Sequence, residues 1–226
     1  PPRAPPPPLP RAPPRARPPG LADTPSRARS QPSSPDVPRH ESTDNVVPRP
    51  AATVVVLRDT DCGIQVLLLR RNEALLFAGG YWVFPGGAID ASDVSDADGD
   101  HTLSARLAAC REASEEAGID IIDGLAGLVS CGRWIGPVGE PRRYSTEYFL
   151  HHCEGEPAVE VDGSEIIEHR WLSASDALQQ NLTGDLPLYP PTWFTLRQIS
   201  RFHRVEHGIT AISRATPLHV LPLFCD

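Results

Sequence analysis

The stretch CREASEEAGI, Cys110 to Ile119, puts three glutamates within five residues of what reads as a helix. At 3.6 residues per turn, Glu116 lies about 40° to one side of Glu112 and Glu115 about 60° to the other, so all three project from one face. Like charges at such spacings cost roughly 0.2–0.5 kcal/mol per pair. A solvated helix tolerates that cost but gains nothing from it. Oxygen-only carboxylate clusters suit hard cations, Mg2+ above all, which takes one or two carboxylates together with waters and phosphate oxygens. Arg111 precedes the cluster with Glu115 as its i,i+4 partner. Arginine N-terminal to glutamate is the weaker orientation of such a pair, so helix support alone does not explain it.

Outward from this stretch, Leu103, Leu107, Cys110, Ala113 and Ala117 recur at helical spacing and Gly118 sits where a helix C-cap belongs, which predicts a helix over 103–117. Upstream, AATVVVLR (51–58) and GIQVLLLRR (63–71) flank the turn cluster DTDCG and predict a hairpin. YWVFPGG (81–87) reads as a short strand stopped by Pro85 and two glycines, and the acidic ASDVSDADGDH (91–101) as a loop. Its aspartate spacing does not match a calcium loop, and no glutamate stands at the twelfth position. Downstream, GLVSCGRWI (127–135), RYSTEYFLHHC (143–153) and IIEHRWL (166–172) alternate as strands. SASDALQQN (173–181) opens a helix capped by Ser173, and PPTWFTLRQISRF (190–202) forms an amphipathic C-terminal helix behind a proline pair. Strands with interspersed helices define one α/β domain with a mixed sheet. Trp134, Trp171 and Trp193 are expected in its core.

The chain has 226 residues, 40% apolar, with a net charge of −8. Its first fifty residues hold 17 of the 26 prolines and eight arginines against four acids, so the remainder carries −12. Such a proline-rich stretch cannot bury enough surface to offset the ordering of its backbone. Residues 1–48 are therefore expected to be a disordered Pro/Arg-rich arm and residues 49–226 the folded domain. That many prolines do not suit the amphipathic helix of a transit peptide. An acidic domain is a poor nucleic-acid binder, and no run of about 18 apolar residues suggests a membrane span. Five cysteines without metal-type spacing are expected to be reduced, in a cytoplasmic protein.

REASEEAGI (111–119) resembles the R-E-U-x-E-E-x-G-U core of the Nudix box, with U aliphatic or small, and FPGG (84–87) resembles the strand-and-glycine entry to that box. The resemblance implies the Nudix α/β/α sandwich, covering roughly residues 50–205. Two departures stand out. Asp93 occupies the position of the usual upstream glutamate, and the spacing from Gly87 to Arg111 is 24 instead of 14. An enlarged loop with FPGG-x-x-D, here ending at Asp90, is similar to the coenzyme A diphosphatase branch. That branch's upstream signature agrees at Leu67, Leu68, Arg71 and Gly80 and departs at Leu69, Asn72 and Leu76, where Leu76 replaces an arginine.

What the resemblance implies is Mg2+- (or Mn2+-) dependent hydrolysis of the diphosphate bond in a nucleoside diphosphate linked to another moiety, coenzyme A or acyl-coenzyme A among them. NADH, ADP-ribose and modified nucleotides are alternatives, as is a non-catalytic nucleotide-sensing domain. Glu112, Glu115 and Glu116 would hold the metal, one of them or Glu165 would act as base, and Arg111 would orient the glutamates. Gly86 and Gly87 would let the backbone approach the substrate, with Arg71, Arg142 and Arg143 as phosphate contacts. The implied partner is a small-molecule nucleotide, bound by a monomer or homodimer, without nucleic acid or membrane.

Overall fold

A computed structural model describes residues 46–121, 124–216 and 218–222. The expected disordered arm lies almost wholly outside them.

The hairpin forms as the pattern predicts. Strand β1 (Arg49–Thr60) pairs antiparallel with β2 (Gly63–Arg71), Leu57 opposite Val66 and Thr60 opposite Gly63. Strands β3 (Trp82–Val83), β4 (Gly86–Ala88), β5 (Val129–Ile135), β6 (Tyr144–His152), β7 (Ile166–Ser173) and β8 (Leu218–Val220) complete one mixed sheet. Its path is β3-β2-β1-β6-β5-β8, with β7 paired to β2 and β4 to β1. The centre is the parallel pair β1–β6, in register from Arg49 opposite Tyr144 to Leu57 opposite His152. One edge of β1 is shared: β2 takes its C-terminal end and β4 its N-terminal end, Ala51–Thr53.

The unbroken apolar run of β1 follows from burial on both faces. Val55 and Leu57 face one layer, with α3 (Ala174–Thr183), α4 (Pro190–Ile199) and the start of α5 (Val205–Arg214). Ala52, Val54 and Val56 face the other, against α2 (His101–Ala117). The fold is thus the α/β/α sandwich that the box implies. Helix α2 meets the sheet through Ala105, Ala108, Ala109, Ala113 and Ala117, all fully buried. Methyl side chains bring its axis close to β1 and hold the glutamates beside the N-terminal end of that strand.

Three elements correct the sequence reading. The acidic segment is not a loop throughout: Ala91–Asp96 forms the helix α1, and Asp93 accepts a hydrogen bond from the Asp90 backbone N–H at 2.8 Å. The glycines after Pro85 do not end pairing, because β4 reopens it on β1. Helix α4 is not the last element, since α5 and β8 follow. Both cap expectations hold: α2 ends on Gly118 in the left-handed conformation (φ 64°), and the Ser173 side chain caps α3 by accepting from Asp176 N–H. Among the described residues no helix is long and apolar enough to cross a membrane. Cys62, Cys110, Cys131 and Cys153 are free thiols, and Cys225 lies outside the described residues.

Candidate active site

Glu112, Glu115 and Glu116 line one cavity of about 920 Å³ with Gly86, Gly87, Arg71, Arg111, Arg142 and Glu165. Each glutamate commits one oxygen to a donor of the fold. Glu116 is 6% exposed and accepts from the Gly86 backbone N–H at 2.9 Å. Glu112 Oε1 and Glu115 Oε2 both accept from Arg111 Nη1, at 2.9 Å each. The guanidinium is itself fixed: Nη2 donates to Ala88 O and Asp93 Oδ2 at 3.0 Å, and Nε to Asp93 Oδ1 at 3.3 Å. Such bidentate pairs fix orientation as well as charge. Arg111 thus bridges Glu112 and Glu115, and Asp93, buried and capping α1, anchors it.

The two glycines stand where a side chain has no room. A Cβ on Gly86 would meet Ala52 O and Thr53 Oγ1 at 2.5 Å, and one on Gly87 would meet the Glu112 carboxylate, with Cδ at 2.6 Å. Gly86 is thus needed for the approach of β4 to β1, and Gly87 for the placement of the Glu112 carboxylate.

Burial dominates the electrostatics. It pushes the Glu116 carboxyl up to about 8, against the lowering effect of the Gly86 N–H and with Glu112 adding repulsion. It also raises Glu112, partly offset by Arg111. Arg111 is raised, above all by its hydrogen bond to Asp93, and stays cationic.

Arg71 reaches the acids from the end of β2, with Nη1 3.6 Å from Glu116 and Nη2 3.5 Å from Glu165. Glu165 is 60% exposed in its side chain and is presented by a turn built on Asp162. The Asp162 carboxylate accepts the backbone N–H groups of Ser164 (2.6 Å), Glu165 (2.7 Å) and Ile166 (3.0 Å). Glu168 instead pairs with Arg70 and Arg170 and is an ordinary surface acid.

Two expectations need correction. Arg143 does not line the cavity beside Arg142: its side chain is buried, donating to Gly136 O (3.0 Å) and Val46 O (2.8 Å), and it joins the segment just before β1 to the one just after β5. Trp134 is not a core residue, because it lines the cavity and packs on Phe194 with centroids 5.5 Å apart. Trp171 and Trp193 do pack on the two cores.

Sequence reasoning passed over the cavity's other wall. Phe77 lies 5.2 Å from Tyr144 and 5.4 Å from Tyr189, centroid to centroid, and these rings line the cavity beside Tyr81, Trp134 and Tyr148. Their only sequence signal was Tyr144 in alternation with Thr146 and Tyr148 on β6. Asp162, followed by Ser164, carried a turn signal that went unused.

The donor set fits a hard cation. The second oxygen of each of the three glutamates takes no hydrogen bond among the described residues. These oxygens do not form a closed cage: among the described residues, no three His, Cys, Asp or Glu converge as a complete metal site. An open set of carboxylates is what Mg2+ uses when water and substrate phosphate complete its shell.

A NUDIX domain model matches residues 47–191, and the chain belongs to that family. It is 27% identical over 186 residues to a Caenorhabditis elegans protein called "Putative nudix hydrolase 7", covering 68% of this chain and 61% of that protein. It is 29% identical over 88 residues to the human acyl-coenzyme A diphosphatase NUDT19, covering 38% and 24%. The chain thus spans less than two thirds of either relative. Among solved structures, a NUDIX hydrolase from Alicyclobacillus acidocaldarius matches with a TM-score of 0.66 and 26% identity, over 76% of this chain and all of that one.

Proposed function

We propose that the domain hydrolyses the diphosphate bond of a nucleoside diphosphate linked to another moiety, with Mg2+ or Mn2+ as cofactor. The observation that carries this is one cavity in which three oriented glutamates face two arginines and an aromatic wall. The Gly86 N–H and Arg111 hold Glu116, Glu112 and Glu115 so that their second oxygens serve a cation. That cation, when bound, neutralises diphosphate charge and lowers the pKa of water. Glu165, on a turn held by Asp162 and clear of the N–H that pins Glu116, accepts the proton of the attacking water. Water adds to one phosphorus, and the bond from that phosphorus to the bridging oxygen breaks.

Coenzyme A and its acyl esters are the substrates we favour. Support comes from the FPGG-x-x-D spacing, the signature residues around Arg71, and the partial similarity to the human acyl-coenzyme A diphosphatase. Arg142 lines the cavity and makes no ion pair among the described residues, which leaves it for substrate phosphate. Leu76, in place of the branch's arginine, is 89% exposed and lines the same cavity. With coenzyme A the products are adenosine 3',5'-diphosphate and phosphopantetheine. The test is product formation from coenzyme A, acyl-coenzyme A, NADH, ADP-ribose and modified nucleotides, with Mg2+ or Mn2+. Faster turnover of NADH or ADP-ribose overturns the substrate, and binding without turnover of any overturns the hydrolase in favour of a nucleotide sensor.

A further inference from the structure

Arg71 stands in front of the one Glu116 oxygen that the fold leaves open. Gly86 N–H holds Glu116 Oε2, and Arg71 Nη1 faces Oε1 at 3.6 Å, beyond hydrogen-bond distance but within ion-pair range. The same guanidinium reaches Glu165 Oε2 at 3.5 Å, so one positive charge is shared by two carboxylates. This placement is built into the backbone. Arg71 N donates to Tyr81 O (3.0 Å), Gly80 N to Arg71 O (3.1 Å), and Arg71 Nε to Phe77 O (3.3 Å). Asn72 ties the Glu165 turn to the same strand end, its backbone N–H to Glu165 O (2.8 Å) and its side chain to Ser164 O (2.9 Å). The Arg71 side chain is only 14% exposed, yet it borders the cavity.

A divalent cation held by Glu116 would have only Oε1 open to it, the oxygen that Arg71 faces, so the two positive charges would compete for one carboxylate. We propose that Arg71 is the resident counter-cation of Glu116 and Glu165, and that it turns from Glu116 to the substrate diphosphate when a divalent cation enters. The inference rests on the cation site of the proposed function and goes beyond it. Arg71 opposes the cation in the absence of substrate, and the diphosphate removes that opposition by engaging the guanidinium. Cation and substrate therefore strengthen each other's binding by the same factor, as linkage requires.

Calorimetric titration of the full chain with Mn2+ alone, without substrate, tests this. Arg71→Gln removes the charge but can still donate to the Phe77 carbonyl, Arg71→Ala removes both, and Arg71→Lys keeps the charge. The neutral variants should bind Mn2+ about 5-fold tighter or more, the lower end of coupling between two ligands of one protein. Arg71→Lys should stay near wild type, while KM for the diphosphate substrate rises in the neutral variants. A purely structural or substrate-binding arginine would leave Mn2+ affinity unchanged or weaker, and that outcome in either folded neutral variant overturns the proposal. Failure of the wild type to bind Mn2+ at millimolar concentration overturns the cation site of the proposed function as well.

Discussion

Alanine at Gly87 and at Gly86 should separate the chemistry of the site from the stability of the fold. At Gly87 the new Cβ would lie 2.6 Å from Glu112 Cδ and 3.0 Å from Oε2. Ordinary contact begins near 3.4 Å, so the carboxylate has to retreat by about 1 Å, the scale of misplacement that costs on the order of 10²-fold in rate. The obstruction is the tip of a flexible side chain, and an off-rotamer χ angle costs only about 0.5–1.5 kcal/mol. Reduced unfolded-state freedom offsets part of that by about 0.4–1 kcal/mol. Gly87→Ala is therefore expected to lower kcat by about 10²-fold with a melting temperature within about 4 °C of wild type. At Gly86 the obstruction is backbone, Ala52 O at 2.5 Å and Thr53 Cα at 2.7 Å, and β4 cannot stay paired with β1. Overpacking of about 1–3 kcal/mol adds to about 0.5–1.5 kcal/mol for the lost hydrogen bond to the Glu116 carboxyl, whose pKa of about 8 keeps it neutral. A fall in melting temperature of roughly 3–18 °C follows, at about 2–4 °C per kcal/mol. Thermal melts by circular dichroism and steady-state kinetics at saturating Mg2+ measure both. Gly87→Ala with kcat within about 3-fold of wild type would refute the stated placement of Glu112, and an unshifted Gly86→Ala melt would refute that of β4.

Glu115→Gln or Glu116→Gln should each lower kcat by at least ~10²-fold with the fold intact; full activity in both at saturating Mg2+ excludes the assigned roles. Without divalent cations, the raised pKa of Glu116 makes the folded state bind a proton that the unfolded chain has released. Stability should then fall as pH rises from 4.5 toward about 8, and Glu116→Gln should flatten that decline, read from melting temperatures in chelator. Millimolar Mg2+ should restore it, with stabilisation of about 2.7 kcal/mol at 100 times Kd; melts identical with and without Mg2+ count against the site. Arg142→Ala should raise KM for coenzyme A ~10-fold, in line with roughly 1.5–3 kcal/mol for a hydrogen bond to a charged group, and an unchanged KM removes Arg142 from the substrate site. Burial raises the Asp162 carboxyl, but the hydrogen bonds from Ser164, Glu165 and Ile166 outweigh it and lower the pKa. The turn's contribution should be present above pH 3.8 and lost as pH falls below it, so Asp162→Asn should show less acid sensitivity than wild type in melts across pH 3–5.

Much of this was legible in the chain. β1 and β2 declare themselves because both faces of a central strand are buried, leaving an apolar run that surface segments do not show. The glutamates are legible because a helix gathers residues three and four apart, whatever tertiary contacts follow. Helix α1 was hidden by its composition: aspartates and glycines signal turns, and only the Asp90–Asp93 spacing hinted that two of them cap a helix. The burial of Arg143 was not legible because sequence shows a charge but not its neighbours, and here two backbone carbonyls accept from its guanidinium. The aromatic wall could not be read at all, since Phe77, Tyr144 and Tyr189 come from three distant segments that only the sheet brings together.

The parallel pairing of β1 with β6 joins residues far apart in sequence, Arg49 with Tyr144 and Leu57 with His152. Closing a loop of about 90 residues costs on the order of 4 kcal/mol of chain entropy before any contact across it forms. Local pieces, the β1–β2 hairpin and α2, meet no such barrier. During refolding the central ladder should therefore arrive late, and Tyr144, Thr146 and Tyr148 arrive with it. Helical signal and hairpin protection should return before turnover does, with a measurable lag between them. Enzymatic competence would be the last property the chain acquires as it folds, and the first lost when its long-range ladder opens.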